Sequence, residues 1–193
     1  GMGYFNNCRF ENNRATRGGA ISVWNCVESG IFLNACSFSG NWISYKNGTS
    51  IYFEKAKYFC MNNCSFADNT YTMNSGEDDG SWVYINGSVD DANNKILEEC
   101  VISNCSLIGS CRTSASLDPL AAQELIHLNK IKDGNKYTLI NNILVAGNDQ
   151  YSWWATDSGI NSYYNVLAKK GGNSSYSGSG ARRGQVLSRP RCP

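Results

Sequence analysis

The sequence predicts an all-β chain, folded as a right-handed parallel β-helix of five to six coils with one short helix in an insertion. Three observations carry that expectation. First, Asn-Asn-Cys8-Arg-Phe10-Glu-Asn-Asn13 recurs as Asn-Ala-Cys36-Ser-Phe38-Ser-Gly-Asn41 and again as Asn-Asn-Cys64-Ser-Phe66-Ala-Asp-Asn69, 28 residues apart each time. A fixed period of this size marks stacked structural units. Second, Cys and Phe sit two residues apart, so in a strand they share one face, while Arg9, Ser37 and Ser65 between them face the other way. Third, the 193 residues include 24 Asn, 23 Ser and 19 Gly but only 3 Pro, and 17% are charged. That mixture is too apolar for a disordered chain and too rich in turn formers for a helical bundle.

Each element follows in order. One short strand with one apolar face is unstable alone, and stacking like strands in parallel buries a continuous core. Ala20-Ile21-Ser22-Val23, Ser50-Ile51-Tyr52-Phe53 and Trp82-Val83-Tyr84-Ile85 supply a second strand per coil. Ile31-Phe32-Leu33, Tyr58-Phe59 and Tyr137-Thr-Leu139-Ile140 supply a third. In the fourth coil, Cys100 with Ile102 is preferred over Cys105 with Leu107, because Ile96, Cys100 and Ile102 alternate onto one face. In the fifth, Ile143 replaces Cys and Val145 replaces Phe, and a last degenerate strand covers 160–166. The helix is placed from Asp118, a cap, through Pro119 at the first turn, with Leu120, Glu124 and Leu128 at helical spacing.

Asn13, Asn41 and Asn69 are expected to stack at a corner, each in the left-handed conformation and bonding its own turn. Cys8, Cys36 and Cys64 form an inner column whose thiols point in parallel rather than at one another, so they are expected to be buried and free. Phe10, Phe38 and Phe66 complete the ladder. The cysteine count is nine, which is odd, and the pairing of Cys26, Cys60, Cys111 and Cys192 is left open. The β-helix is assigned to residues 1–165, which carry a net charge of −5; residues 166–193 form a Gly/Ser-rich tail with six basic and no acidic residues. The tail is read as a flexible appendage, with a docking segment as the alternative.

The motifs Phe10-Glu-Asn-Asn13, Phe38-Ser-Gly-Asn41, Phe66-Ala-Asp-Asn69 and Gly18-Gly19-Ala20-Ile21 resemble the F-x-x-N and G-G-A-I repeats of chlamydial polymorphic membrane proteins. They also resemble protist surface proteins with a pectate-lyase-like β-helix. The resemblance is good over residues 3–70 and weak over 71–165. It departs at Gly48-Thr-Ser-Ile51 and Gly80-Ser-Trp-Val83, and no autotransporter barrel is present. It implies an extracellular surface domain used in adhesion or coat formation.

The residues narrow the chemistry. A net charge of +1 gives no reason to expect nucleic acid or an anionic membrane as partner. No run of 18 apolar residues occurs, so membrane insertion is not expected, and GMGYFNNCRF lacks a signal-peptide pattern. His127 is the only histidine, which excludes a two- or three-histidine metal site; it is read as structural. No metal and no cofactor is expected: C-x-x-C, G-x-G-x-x-G and P-loop patterns are absent. Glycosidase chemistry needs paired carboxylates at defined separation; the acidic pairs are Asp78-Asp79 (with Glu77), Asp90-Asp91 and Glu98-Glu99, of which the first two are read as solvated loops. Trp153 and Trp154 are candidates for sugar stacking, and Asn47, Asn86 and Asn173 for glycosylation.

The expected function is a non-catalytic, extracellular structural or adhesive surface protein, or a fragment of one. Its partners would be other chains of a surface assembly, or glycans. The alternatives are a carbohydrate-active enzyme of the pectate lyase or polygalacturonase type, and a subunit of a filament or coat. The last follows because the chain enters its first coil at Tyr4 with no polar cap over the strand edges.

Overall fold

The computed structural model describes residues 1–44, 48–71, 81–88, 94–108, 124–146, 152–156, 158–169 and 175–177. Among them every regular element is a strand. The first pass of chain gives β1 (Met2–Asn6), β2 (Arg9–Glu11) and β3 (Arg14–Ala15). The second gives β4 (Ile21–Asn34), β5 (Ser37–Ser39) and β6 (Trp42–Ile43). The third gives β7 (Ile51–Asn62), β8 (Ser65–Ala67) and β9 (Thr70–Tyr71). Then follow β10 (Val83–Asn86), β11 (Glu99–Ser103) and β12 (Ser106–Ile108), and next β13 (Glu124–Asn129), β14 (Tyr137–Ile140) and β15 (Ile143–Ala146). The last are β16 (Ser152–Thr156), β17 (Ile160–Tyr163), β18 (Asn165–Lys169) and β19 (Ser175–Ser177).

Strands pair with their counterparts in the next pass, in parallel, giving three curled sheets; β18 with β19 is the antiparallel exception. The 28-residue period appears directly in the registers: Phe10 faces Phe38, which faces Phe66. β4 and β7 each run through a bend at a left-handed residue, Asn25 and Lys55 (both φ 56°), so each belongs to two strand columns. Before the bend, β7 continues into β10, β13 and β16; after it, into β11, β14 and β17.

The sequence repeat reflects what is inside. Ile21, Ile51, Val83 and Ile126 stack in one column, and Val23, Phe53, Ile85 and Leu128 in another. Phe10, Phe38 and Phe66 stack ring on ring at 4.8 and 4.5 Å, nearly parallel. Leu107, Leu144 and Leu167 extend that column. Truncating one such buried ring costs about 3–5 kcal/mol. Gly18 and Gly48 open their turns at φ +55° and +75°, where a Cβ would lie 2.2 Å from the Ile21 and Ile51 carbonyl oxygens. This is the physical content of the first glycine in Gly18-Gly19-Ala20-Ile21.

Several expectations are corrected. Glu124–Asn129 is β13, not the second half of a helix; residues 118–123 lie outside the described residues. Its Ile126 and Leu128 alternate onto the existing inner columns, and pairing with β10 outweighs local helical spacing. In the fourth pass Cys105 and Leu107 take the Cys64 and Phe66 positions, while Cys100 and Ile102 pair with Phe59 and Met61. In the fifth, Leu144 rather than Val145 takes the Phe position, and Asn142 rather than Ile143 takes the Cys position. Residues 160–166 split into β17 and β18 around Tyr164 (φ 55°), and strand pairing runs past residue 165. Residues 178–193 lie outside the described residues.

The asparagine corner is also built differently. The left-handed residues are Asn12, Gly40 and Asp68, each one before the ladder asparagine. The side chains bond the neighbouring pass, not their own turn. Asn69 Oδ1 accepts from the Asn41 N–H at 3.0 Å and from Asn41 Nδ2 at 2.9 Å, and Asn69 Nδ2 donates to the Phe38 carbonyl at 3.1 Å. Asn41 repeats the pattern toward Asn13 and Phe10. Asn41 and Asn69 are fully buried, and these bonds satisfy them.

The cysteine column does the same work with a different atom. Asn7, Ala35, Asn63, Asn104, Asn141 and Tyr164 are its left-handed residues. The single thiol hydrogen lies nearest a carbonyl of its own turn, Asn34 O at 3.3 Å from Cys36 Sγ and Ser103 O at 3.0 Å from Cys105 Sγ, with Phe5 O and Met61 O of the preceding pass at 3.4 and 3.8 Å. Asn142 Nδ2 donates to Ile102 O at 2.9 Å and Asn165 Nδ2 to Leu139 O at 2.8 Å. Phe5, Met61, Ile102 and Leu139 each lie three residues before the column member of the preceding pass. Thiol and carboxamide thus share one place, and the carboxamide makes the stronger bond across passes.

Candidate functional site

The concave surface of interest forms along the bend. Strands before and after it stack in register, but the connections between them differ: 87–98 between β10 and β11, and 130–136 between β13 and β14. Side chains there are released from the repeat. They line a groove of about 620 Å³ with Asn25, Val27 and Glu28 of β4, Lys55 and Lys57 of β7, residues 94–96, Glu98 and Lys132. That volume lies in the range of small-ligand sites.

Glu98 is the electrostatic centre. Its Oε2 accepts from the Tyr58 hydroxyl at 2.9 Å, and its Oε1 lies 3.3 Å from Lys132 Nζ and 3.6 Å from Lys57 Nζ. The Tyr58 hydroxyl, then the lysines, hold its carboxyl below the usual glutamate range. Asn135 Nδ2 donates to the Glu98 carbonyl at 2.7 Å, fixing the backbone beneath. Lys57 also reaches Glu28 at 3.3 Å, and Lys95 reaches Asp133 at 3.0 Å. Glu28 and Asp133 are 80% and 91% exposed. The lining holds four lysines and two glutamates, an excess of two positive charges.

A second feature lies on the outer face before the bend. Tyr52, Tyr84 and His127 occupy one outward column, with ring centroids 5.2 and 4.8 Å apart, and the Arg17 guanidinium caps Tyr52 at 5.5 Å. The Tyr52 hydroxyl donates to Glu54, and burial together with that bond pushes the phenol well above its usual range. His127 Nδ1 lies 2.7 Å from Glu124 Oε1, and the Glu124 side chain is 2% exposed. His127 therefore lies on the outer face of the sheet, stacked on Tyr84 and within hydrogen-bond distance of Glu124. Its flanking apolar residues hide this in the sequence, because strand alternation sends them inward and His127 out.

The residues singled out by sequence fall as follows. Cys8, Cys36, Cys64, Phe10, Phe38, Phe66, Asn13, Asn41 and Asn69 lie in the ladders. The described cysteines are free thiols, Cys26 and Cys60 among them; Cys111 and Cys192 lie outside the described residues. Trp153 and Trp154 are half-buried against the core, and the Trp153 indole donates to Ala168 O at 2.9 Å. Asn86 is buried, its Nδ2 donating to the Tyr84 hydroxyl at 3.1 Å. Asn47 and Asn173 lie outside the described residues, as do Asp78, Asp79, Asp90 and Asp91. Exposed sequon asparagines occur instead at the left-handed corner positions Asn63 and Asn104. The groove lysines carry no sequence motif; only the bend brings Lys55 and Lys57 to Lys95 and Lys132.

No family model, curated protein or solved structure matches this chain.

Proposed function

We propose that the chain is a right-handed parallel β-helix of five to six coils, pectate-lyase-like in architecture. In this reading it serves as a non-catalytic structural and adhesive module of an extracellular surface protein. One observation carries the reading. Every residue type that defines the repeat (Cys, Phe, Asn) is turned inward and bonded to the next pass, so the repeat encodes a scaffold. Recognition is left to the aperiodic side chains along the bend. The resemblance to chlamydial and protist surface repeats points the same way.

The test is a panel of immobilised polysaccharides and host-surface glycans, scored for binding and for release of reducing or unsaturated ends. Binding without release supports the module. Release would move the chain to the carbohydrate-active enzymes. That second reading is favoured by one feature, Glu54 and His127 on one outer sheet face, with the buried Glu124 carboxylate 2.7 Å from His127 Nδ1. In that case Glu124→Gln abolishes turnover.

A further inference from the structure

We propose that the groove along the Asn25/Lys55 bend binds an acidic oligosaccharide carrying two or more carboxylate or sulfate groups. The inference rests on the adhesive reading above and gives it a ligand class.

Three observations support it. The four lysines exceed Glu28 and Glu98 by two charges, and Asp133, paired with Lys95, leaves the described residues of the groove an excess of one, which an anion balances. One of those lysines, Lys57, is held in part by a weak, replaceable partner, Glu28, which lies largely in solvent. Exposed pairs of this kind are worth about 0–1 kcal/mol, so an incoming carboxylate or sulfate displaces them at little cost. Glu98 keeps Lys57 and Lys132 gathered on one oxygen while the outer contacts exchange.

The surroundings favour a sugar over a nucleic acid. Asn25 and Asn94 line the groove with amides, which donate to and accept from hydroxyls. Trp24, 64% exposed, immediately precedes Asn25 in the chain. Glu28 and Glu98 can accept from sugar hydroxyls.

The experiment is isothermal titration of the full chain with tetragalacturonate, its methyl-esterified counterpart, a sulfated tetrasaccharide and a single-stranded oligonucleotide. Binding is expected for the acidic saccharides only, weakening as salt rises; the carboxylate and sulfate arms identify the preferred acid. The double variant Lys55→Gln/Lys132→Gln is expected to lose affinity at least roughly tenfold. Should that variant misfold, Lys132→Gln alone, at a side chain 54% exposed, is expected to lose about threefold. Equal affinity for acid and ester, affinity unmoved by the lysine variants, or preference for the oligonucleotide overturns the proposal. Binding accompanied by cleavage of tetragalacturonate upholds the groove and overturns the non-catalytic reading. Binding of neutral glycans alone does the reverse.

Discussion

Replacing the ladder asparagines one at a time exposes how their energy depends on burial. Asn69→Ala removes an acceptor from the Asn41 N–H and Nδ2, and a donor from the Phe38 carbonyl. Asn69 and Asn41 are fully buried, so water does not replace those partners. Two stranded backbone groups at about 1–3 kcal/mol each give a loss of about 4 kcal/mol. At about 2–4 °C per kcal/mol for a domain of this size, the melting temperature falls by roughly 8–16 °C. Asn13→Ala removes the same side chain from the same column, but Asn13 is exposed and its Nδ2 makes one bond, to Asn41 Oδ1. Its loss stays below about 1 kcal/mol. Asn41→Ala falls between, because one of its two stranded groups is the N–H of exposed Asn13. Urea and thermal unfolding of the three variants measure the gradient. Equal losses at all three positions, or a loss under about 1 kcal/mol at Asn69, would refute the assignment of the ladder as buried hydrogen bonding.

Other outcomes follow from single contacts. Trp82→Phe removes the indole donor to Asn69 O at 3.1 Å and should cost about 1–3 kcal/mol by chemical unfolding; a neutral change would mean that bond contributes nothing. Phe38→Ala should cost about 3–5 kcal/mol and Phe38→Leu much less, since leucine already fills this column at Leu107 and Leu144. Peptide mapping after thiol labelling at pH 8 should find Cys36, Cys64, Cys100 and Cys105 modified only on unfolding, and Cys60 slowly, burial having pushed its thiol up to about 11. The depressed Glu98 carboxyl contributes stability above its unfolded value of about 4.3, and that contribution is lost as pH falls through the lower folded value. Tyr58→Phe should therefore shift the Glu98 titration upward by NMR; an unmoved titration would dismiss the hydroxyl as its cause.

The repeat was legible because its residues answer to one constraint, identical packing against the pass above and below. It became illegible where chemistry was kept and residue type was not. A frame built on apolar character places Ile143 in the cysteine column. The structure places Asn142 there, because what the position needs is a donor to a carbonyl and an acceptor for an N–H. A polar amide and a small apolar thiol meet that need alike, and no hydropathy pattern equates them. The same blindness set Cys100 ahead of Cys105, both of which are fully buried and on alternating faces. The helix assigned over 118–128 failed for a related reason: spacing records local preference, whereas Ile126 and Leu128 were fixed by columns begun some 105 residues earlier at Ile21 and Val23.

The groove was beyond the sequence for the opposite reason. Its lysines obey no period, because the connections at the bend grow and shrink from pass to pass while the strands on either side stay in register. A parallel stack tolerates this: an insertion between two columns leaves both columns paired, and apart from anchors such as Leu97 and Ile131, buried and bridged to each other, its side chains need not repeat. In the third pass the two ladder corners carry Asn63 and Asp68 at their left-handed positions and the bend carries Lys55 at φ 56°, although Ala35 and Tyr164 hold that conformation at other corners and Asn25 at the bend of the second pass. A lysine in that conformation gains nothing for its own backbone. It lines the groove together with Lys57, Lys95 and Lys132. If Lys55→Asn stabilises the fold while weakening binding of the acidic saccharide, the bend trades backbone preference for recognition. If it stabilises the fold and leaves binding unchanged, Lys55 has no part in the groove.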